Sequence, residues 1–126
     1  MKKFVKWEGK ESDFQKSAAR YLDFLGVLWN HCPNGGMRDS NRQKAQKIGS
    51  KLKAEGVKKG FPDVAIYEPR GKFLGLFIEL KTATGRLSTE QRVWIDRLSA
   101  RGYKVYKTDS LDEFIDLVDN YLKITE

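Results

Sequence analysis

The sequence is poor in the residues that staple a fold or ligate soft metals. Its 126 residues include one cysteine, Cys32, and one histidine, His31. A single chain therefore makes neither a disulfide nor a Cys/His zinc site, and a reducing compartment is expected. No apolar run approaches the roughly 20 residues that cross a bilayer. The basic start Met1-Lys2-Lys3-Phe4 leads into Trp7-Glu8-Gly9-Lys10-Glu11 rather than the apolar stretch of a secretory signal, so a cytoplasmic location is the expectation. No repeat or low-complexity tract divides the chain, and residues 1–126 read as one domain long enough to bury a core without cross-links.

What is present is an ordinary globular composition, 40% hydrophobic and 33% charged, carrying a net charge of +7. That excess favours a polyanionic partner without identifying it. Its distribution says more. Arg42, Lys44, Lys47, Lys51, Lys53, Lys58 and Lys59 face Glu55 alone, whereas the tail from Asp109 holds six acids against Lys123. The basic block suits phosphates, although a lysine-rich helix face is as often simply solvated.

Apolar periodicity lays out the elements. Phe14, Ala18, Tyr21, Leu22 and Leu25 predict a first helix, opened by a Ser12/Gln15 capping box and closed by Gly26. Val27–Cys32 reads as a strand stopped by the Pro33-Asn34-Gly35-Gly36 loop. Trp7 is expected to cap the core or an interface, and His31 to act as a structural hydrogen-bonder. Residues 39–55 read as a basic helix on a thin stripe of Ala45, Ile48 and Leu52, ending at Gly56 and narrow enough to settle firmly only on a partner. Ser88-Thr89-Glu90-Gln91 predicts a capping box for a helix reaching Arg101, and Tyr103–Lys107 the next strand. An acidic amphipathic helix over about 111–123 follows, with Leu111, Phe114, Ile115, Val118 and Leu122 inward. The order α-β-α-β-β-α-β-α gives an α/β fold, a mixed sheet flanked by helices, in which a right-handed crossover sets the Tyr103 strand parallel to the one before it.

The chain is organised around Gly60–Lys81. Gly60-Phe61-Pro62-Asp63-Val64-Ala65-Ile66-Tyr67 and Phe73–Lys81 read as two antiparallel strands joined by Glu68-Pro69-Arg70-Gly71-Lys72. Strand alternation puts Phe73, Phe77, Glu79 and Lys81 on one face and Leu74, Leu76, Ile78 and Leu80 on the other. Folding about Arg70 brings Asp63 opposite Phe77 or Glu79. Charge on surface strands is commonplace, but a strand whose other residues are apolar should be covered on both faces, and charge there points to function. Two converging carboxylates repel, and a hard divalent cation such as Mg²⁺ relieves the repulsion.

Pro62-Asp63 followed by Glu79-Leu80-Lys81 resembles the PD-(D/E)xK nuclease signature. With Gly60-Phe61 ahead, Gly85-Arg86-Leu87-Ser88-Thr89-Glu90-Gln91 and Trp94 behind, and Glu11, Gln15 and Pro33-Asn34 upstream, residues 11–110 resemble the VRR-NUC family of virus-type replication-repair nucleases. The resemblance implies a restriction-endonuclease-like core. It also implies a Mg²⁺- or Mn²⁺-dependent endonuclease acting on DNA, with branched or structured DNA such as flaps or four-way junctions as substrate, in viral or bacterial replication and repair. Asp63, Glu79 and the backbone carbonyl of Leu80 would be metal ligands. Glu11 would close the site, with Glu8 as the alternative acid. Lys81 would position water or stabilise the transition state. Gln91 has two candidate duties, capping its helix and serving the site; one amide is not expected to meet both fully, and the site role is favoured. Lys58 and Lys59 are candidate phosphate contacts, and Asn34 and Arg38 candidate substrate contacts from the Pro-Asn loop. A small nuclease cutting two strands is naturally a homodimer. The rival readings are a non-catalytic nucleic-acid-binding module of the same fold and a nuclease acting on RNA.

Overall fold

In a computed structural model, which describes residues 3–33 and 42–125, the chain follows the expected order: α1 (Glu11–Leu25), β1 (Trp29–His31), α2 (Arg42–Ala54), β2 (Val64–Ile66), β3 (Leu76–Leu80), α3 (Thr89–Ala100), β4 (Lys104–Thr108) and α4 (Leu111–Leu122). The strands lie in the order β1-β2-β3-β4, antiparallel from β1 to β3 and parallel from β3 to β4. The parallel pair is the expected crossover, made through α3.

Every residue of β2 and β3 is buried, so the central hairpin is covered on both faces. One face, Val64, Ile66, Leu76, Ile78 and Leu80, packs on Phe14, Ala18 and Leu22 of α1 and on Phe114, Val118 and Tyr121 of α4. Burying each such large apolar side chain contributes about 1.5–3 kcal/mol. The other face carries Ala65 and Phe77 against Leu98 of α3, with Phe61, Trp94 and Tyr103 packed around them. Trp7 caps the first core, stacked on Phe14 with ring centroids 5.0 Å apart.

Two local expectations fail. The first concerns the start of α1, where the capping residue is Lys10 with no side-chain cap, so Ser12 and Gln15 lie inside the helix rather than forming a box. The entry is fixed instead by the preceding segment. The Trp7 amide donates to the Asp109 carbonyl (2.6 Å), and its indole Nε1 to the Lys10 carbonyl (2.9 Å). The second concerns Phe73, which tilts against Tyr121 and so belongs to the α1/α4 face rather than the face of Phe77. Its backbone exchanges hydrogen bonds with Arg70 in a tight turn, 3.0 and 2.9 Å, with Gly71 at φ 55°. It therefore precedes the regular alternation of β3.

The α2 helix stands apart in its packing. Ala45, Ile48 and Leu52 are half-buried, and none of its described side chains is fully buried. Gly56, at φ 106°, closes it as expected. No helix among the described residues is long and apolar enough to cross a membrane.

Candidate active site

Asp63 is brought to the sheet by a loop that only its own residues permit. Gly60 has φ 90°, and a Cβ on it would lie 2.6 Å from the Glu90 carbonyl carbon and 2.7 Å from the Gln91 nitrogen. The loop thus lies directly against the first turn of α3. Phe61 then wedges edge-on between Phe77 and Trp94, centroids 5.4 and 5.0 Å away, and the Trp94 indole donates to the Lys59 carbonyl (2.9 Å). Pro62 and Asp63 follow, both buried.

The β2–β3 register pairs Val64 with Ile78. Carried one residue further, it sets Asp63 opposite Glu79, resolving the choice between Phe77 and Glu79. Asp63 is 7% and Glu79 1% exposed. The Asp63 Oδ2 accepts from the Leu80 amide (2.8 Å), while its backbone carbonyl accepts from the Cys32 amide and from His31 Nδ1, both at 2.8 Å. His31 is thus a structural hydrogen-bonder that braces the Asp63 backbone.

Glu79 accepts from the Gln91 side-chain amide, Nε2 to Oε1, at 3.1 Å. Its other oxygen, Oε2, is buried without a hydrogen-bond donor among the described residues. Burial pushes the Glu79 carboxyl well above the ordinary carboxylate range. A hydrogen bond with the Asp63 carboxyl and its charge push it further, Glu11 adds to the rise, and only Lys81 opposes it.

The expected conflict over Gln91 does not arise, because its amide has two ends. Oε1 accepts from the Ser88 amide (2.8 Å), completing a reciprocal box with Ser88 Oγ (3.1 Å from the Gln91 nitrogen), while Nε2 is left for Glu79. The cap itself aims the amide.

Lys81 directly follows β3, half-buried, its amide donating to the Thr108 carbonyl (2.9 Å). Its side chain runs past Gly85, where an added Cβ would meet Lys81 Cδ at 3.3 Å. Gly85 therefore makes room for the lysine stem. Glu11 and Gln15 sit one turn apart on α1. Glu11 is exposed but within electrostatic reach of Glu79. Gln15 Nε2 is buried and without a partner among the described residues. Among the same residues no group of three or more His, Cys, Asp or Glu side chains comes together as a metal cage. Asp63 and Glu79 converge as a buried pair. The donor set nonetheless suits a hard cation: two buried carboxyls, one of whose oxygens lacks a donor among the described residues. Lys58 and Lys59 are exposed just ahead of this loop. Asn34 and Arg38 lie outside the described residues.

Gly60 and Gly85 are the parts of the site that sequence reasoning missed. Each stands within a family motif, but only the close approaches made around them explain why glycine is there.

A mixed four-stranded sheet with helices on both faces, and a carboxyl pair at the end of its central hairpin, defines a restriction-endonuclease-like α/β protein. Two solved structures share the fold. A "VRR_NUC domain protein" aligns over 94% of this chain and 93% of its own with a TM-score of 0.75 and 23% identity. A "VRR_NUC domain" aligns over 88% and 96% with a TM-score of 0.59 and 23% identity. No curated protein matches. The VRR-NUC domain profile matches residues 9–110, and the chain belongs to the VRR-NUC domain family. That family is of the nuclease type, and a nucleic acid is the partner that goes with it.

Proposed function

We propose that the protein is a Mg²⁺- or Mn²⁺-dependent endonuclease that hydrolyses phosphodiester bonds of DNA, with branched or structured DNA such as flaps or four-way junctions as its substrate in replication or repair. One observation carries the reading: a buried carboxyl pair, Asp63 against Glu79, in which Glu79 Oε2 has no donor among the described residues. A purely structural pair would be expected to have that oxygen satisfied.

Asp63 and Glu79 would hold the cation together with the Leu80 backbone carbonyl, and Glu11 would close the site from α1. A cation held by these groups would supply Lewis acidity, making a bound water easier to deprotonate and offsetting negative charge at the scissile phosphate. Gln91 fixes the orientation of the Glu79 carboxyl through Nε2. Lys81 supplies a point charge with rotatable donors that positions the attacking water or stabilises the phosphorane as water adds to phosphorus and one P–O ester bond breaks. Lys58 and Lys59 would contact phosphates flanking the cut. A homodimer would present two such sites to the two strands of a branched substrate.

The test is a digest of linear, flapped and four-way DNA with and without Mg²⁺ or Mn²⁺. Asp63→Ala, Glu79→Ala and Lys81→Ala should each abolish cleavage while DNA binding persists. Metal-dependent nicking retained in all three purified variants would refute the assignment.

A further inference from the structure

Between α2 and α3 runs a groove of about 1110 Å³ that the carboxyl pair does not occupy. Its rim is basic: Lys53, Lys58 and Lys59 on one side, Arg97 and Arg101 on the other, with Glu90 the one acid among its lining residues. Its floor is apolar, formed by Leu52 and Val57 from the α2 side and by Val93, Trp94 and Leu98 from α3. Val57 and Val93 are 45% and 43% exposed. The groove begins beside the site, because the Lys59–Gly60 backbone lies on the Glu90–Gln91 turn, and Gln91 in turn holds Glu79. It then follows α3 for its 12 residues, a length of about 18 Å.

We propose that this groove holds a single-stranded segment of nucleic acid leading into the cleavage site. The inference rests on the nuclease reading and narrows its substrate to one with an unpaired arm. Charge complementarity selects a polyanion. The floor selects an unpaired one: a duplex offers such a groove only phosphates and sugars, which need basic residues alone, whereas an unpaired strand also lays base faces against apolar and aromatic surface. The weak packing of α2, whose apolar stripe stays half-buried, lets the groove admit such an arm.

The test measures binding by fluorescence anisotropy in EDTA, so that no cleavage is needed, using an oligothymidylate of about 12 nucleotides and a blunt duplex of equal length. Val93→Asp and Arg97→Glu should each weaken oligothymidylate binding tenfold or more and duplex binding less than threefold. Lys72→Glu, an equal charge reversal at the hairpin turn, should change both less than twofold. Equal losses for the two ligands would reduce the groove to general electrostatic attraction and overturn the proposal, as would no loss at all. A halved mass in solution for Val93→Asp with oligothymidylate binding intact would give the groove to a second copy of the chain and overturn it too. Both variants lie on the surface, and unchanged circular dichroism verifies their fold. Failure of the catalytic reading looks different: the wild-type chain would bind the oligonucleotide with the same variant pattern yet cut nothing with Mg²⁺ or Mn²⁺.

Discussion

Glu79 concentrates the physics of the site in one side chain. Its folded-state pKa is raised, to about 9, mainly by burial and then by Asp63. The group binds more protons folded than unfolded between its unfolded value near 4.5 and about 9. Its contribution to stability is therefore fully present below pH 4.5 and lost as pH rises through 9. The metal-free protein should accordingly become less stable between pH 6 and pH 9, and Glu79→Gln should flatten that part of the profile. Urea denaturation in EDTA across this range checks it, and an identical slope in the variant would count against the buried proton. Gly60 makes the complementary case for backbone. Gly60→Ala meets a positive φ and a backbone atom 2.6 Å away, so it should cost about 2–4 kcal/mol from strain and overpacking together. Cleavage should fall with it, because Asp63 rides on the same loop; a denaturation midpoint unmoved from wild type would contradict the geometry.

Among the elements, α3 does most to build the site, since its capping box and its link to Glu79 pass through one amide. Ser88→Ala removes the cap alone and should cost about 1 kcal/mol with cleavage largely kept. Gln91→Ala keeps the Ser88 Oγ cap on its backbone amide but removes the reciprocal half of the box and the link to Glu79, leaving the buried carboxyl with one fewer donor, and should cost about 1–3 kcal/mol and depress cleavage sharply. Parallel denaturation and cleavage assays separate the two, and equal activity in both variants would make Gln91 a cap only. The elements themselves are legible in the sequence because apolar spacing is a strong local signal: α3, β3 and α4 each announce a covered face. The carboxyl pair is legible because strand register is arithmetic once the turn is placed. What is not legible comes from residues distant in sequence. The start of α1 is set by Trp7 reaching Asp109, Tyr121 enters the core through α4, and Phe73 changes face because the Arg70 turn claims its backbone. The double duty of Gln91 escapes for a different reason, since capping and site service look like rivals until the two ends of one amide divide them.

Across the whole molecule, charge is segregated as the sequence suggests. The basic run from Arg42 to Lys59 leads into the Asp63 loop, while the acids of the last helix lie on α4, which packs on the opposite face of the sheet from α3. A polyanion should therefore approach from the α2/α3 side. Binding of DNA should fall steeply with salt, and the double variant Lys58→Ala, Lys59→Ala should reduce the log–log slope by about two, near 0.9 for each phosphate left without its lysine on duplex DNA. Titrations at several salt concentrations check this, and an unchanged slope would place the phosphates elsewhere.

The central claim is that Asp63 and Glu79 form one cation site that Lys81 serves without ligating. Calorimetric titration with Mn²⁺ tests it most directly. The wild-type chain should bind, Asp63→Ala and Glu79→Ala should each lose that binding, and Lys81→Ala should keep it while losing cleavage. Mn²⁺ binding that survives in both carboxylate variants would contradict the account.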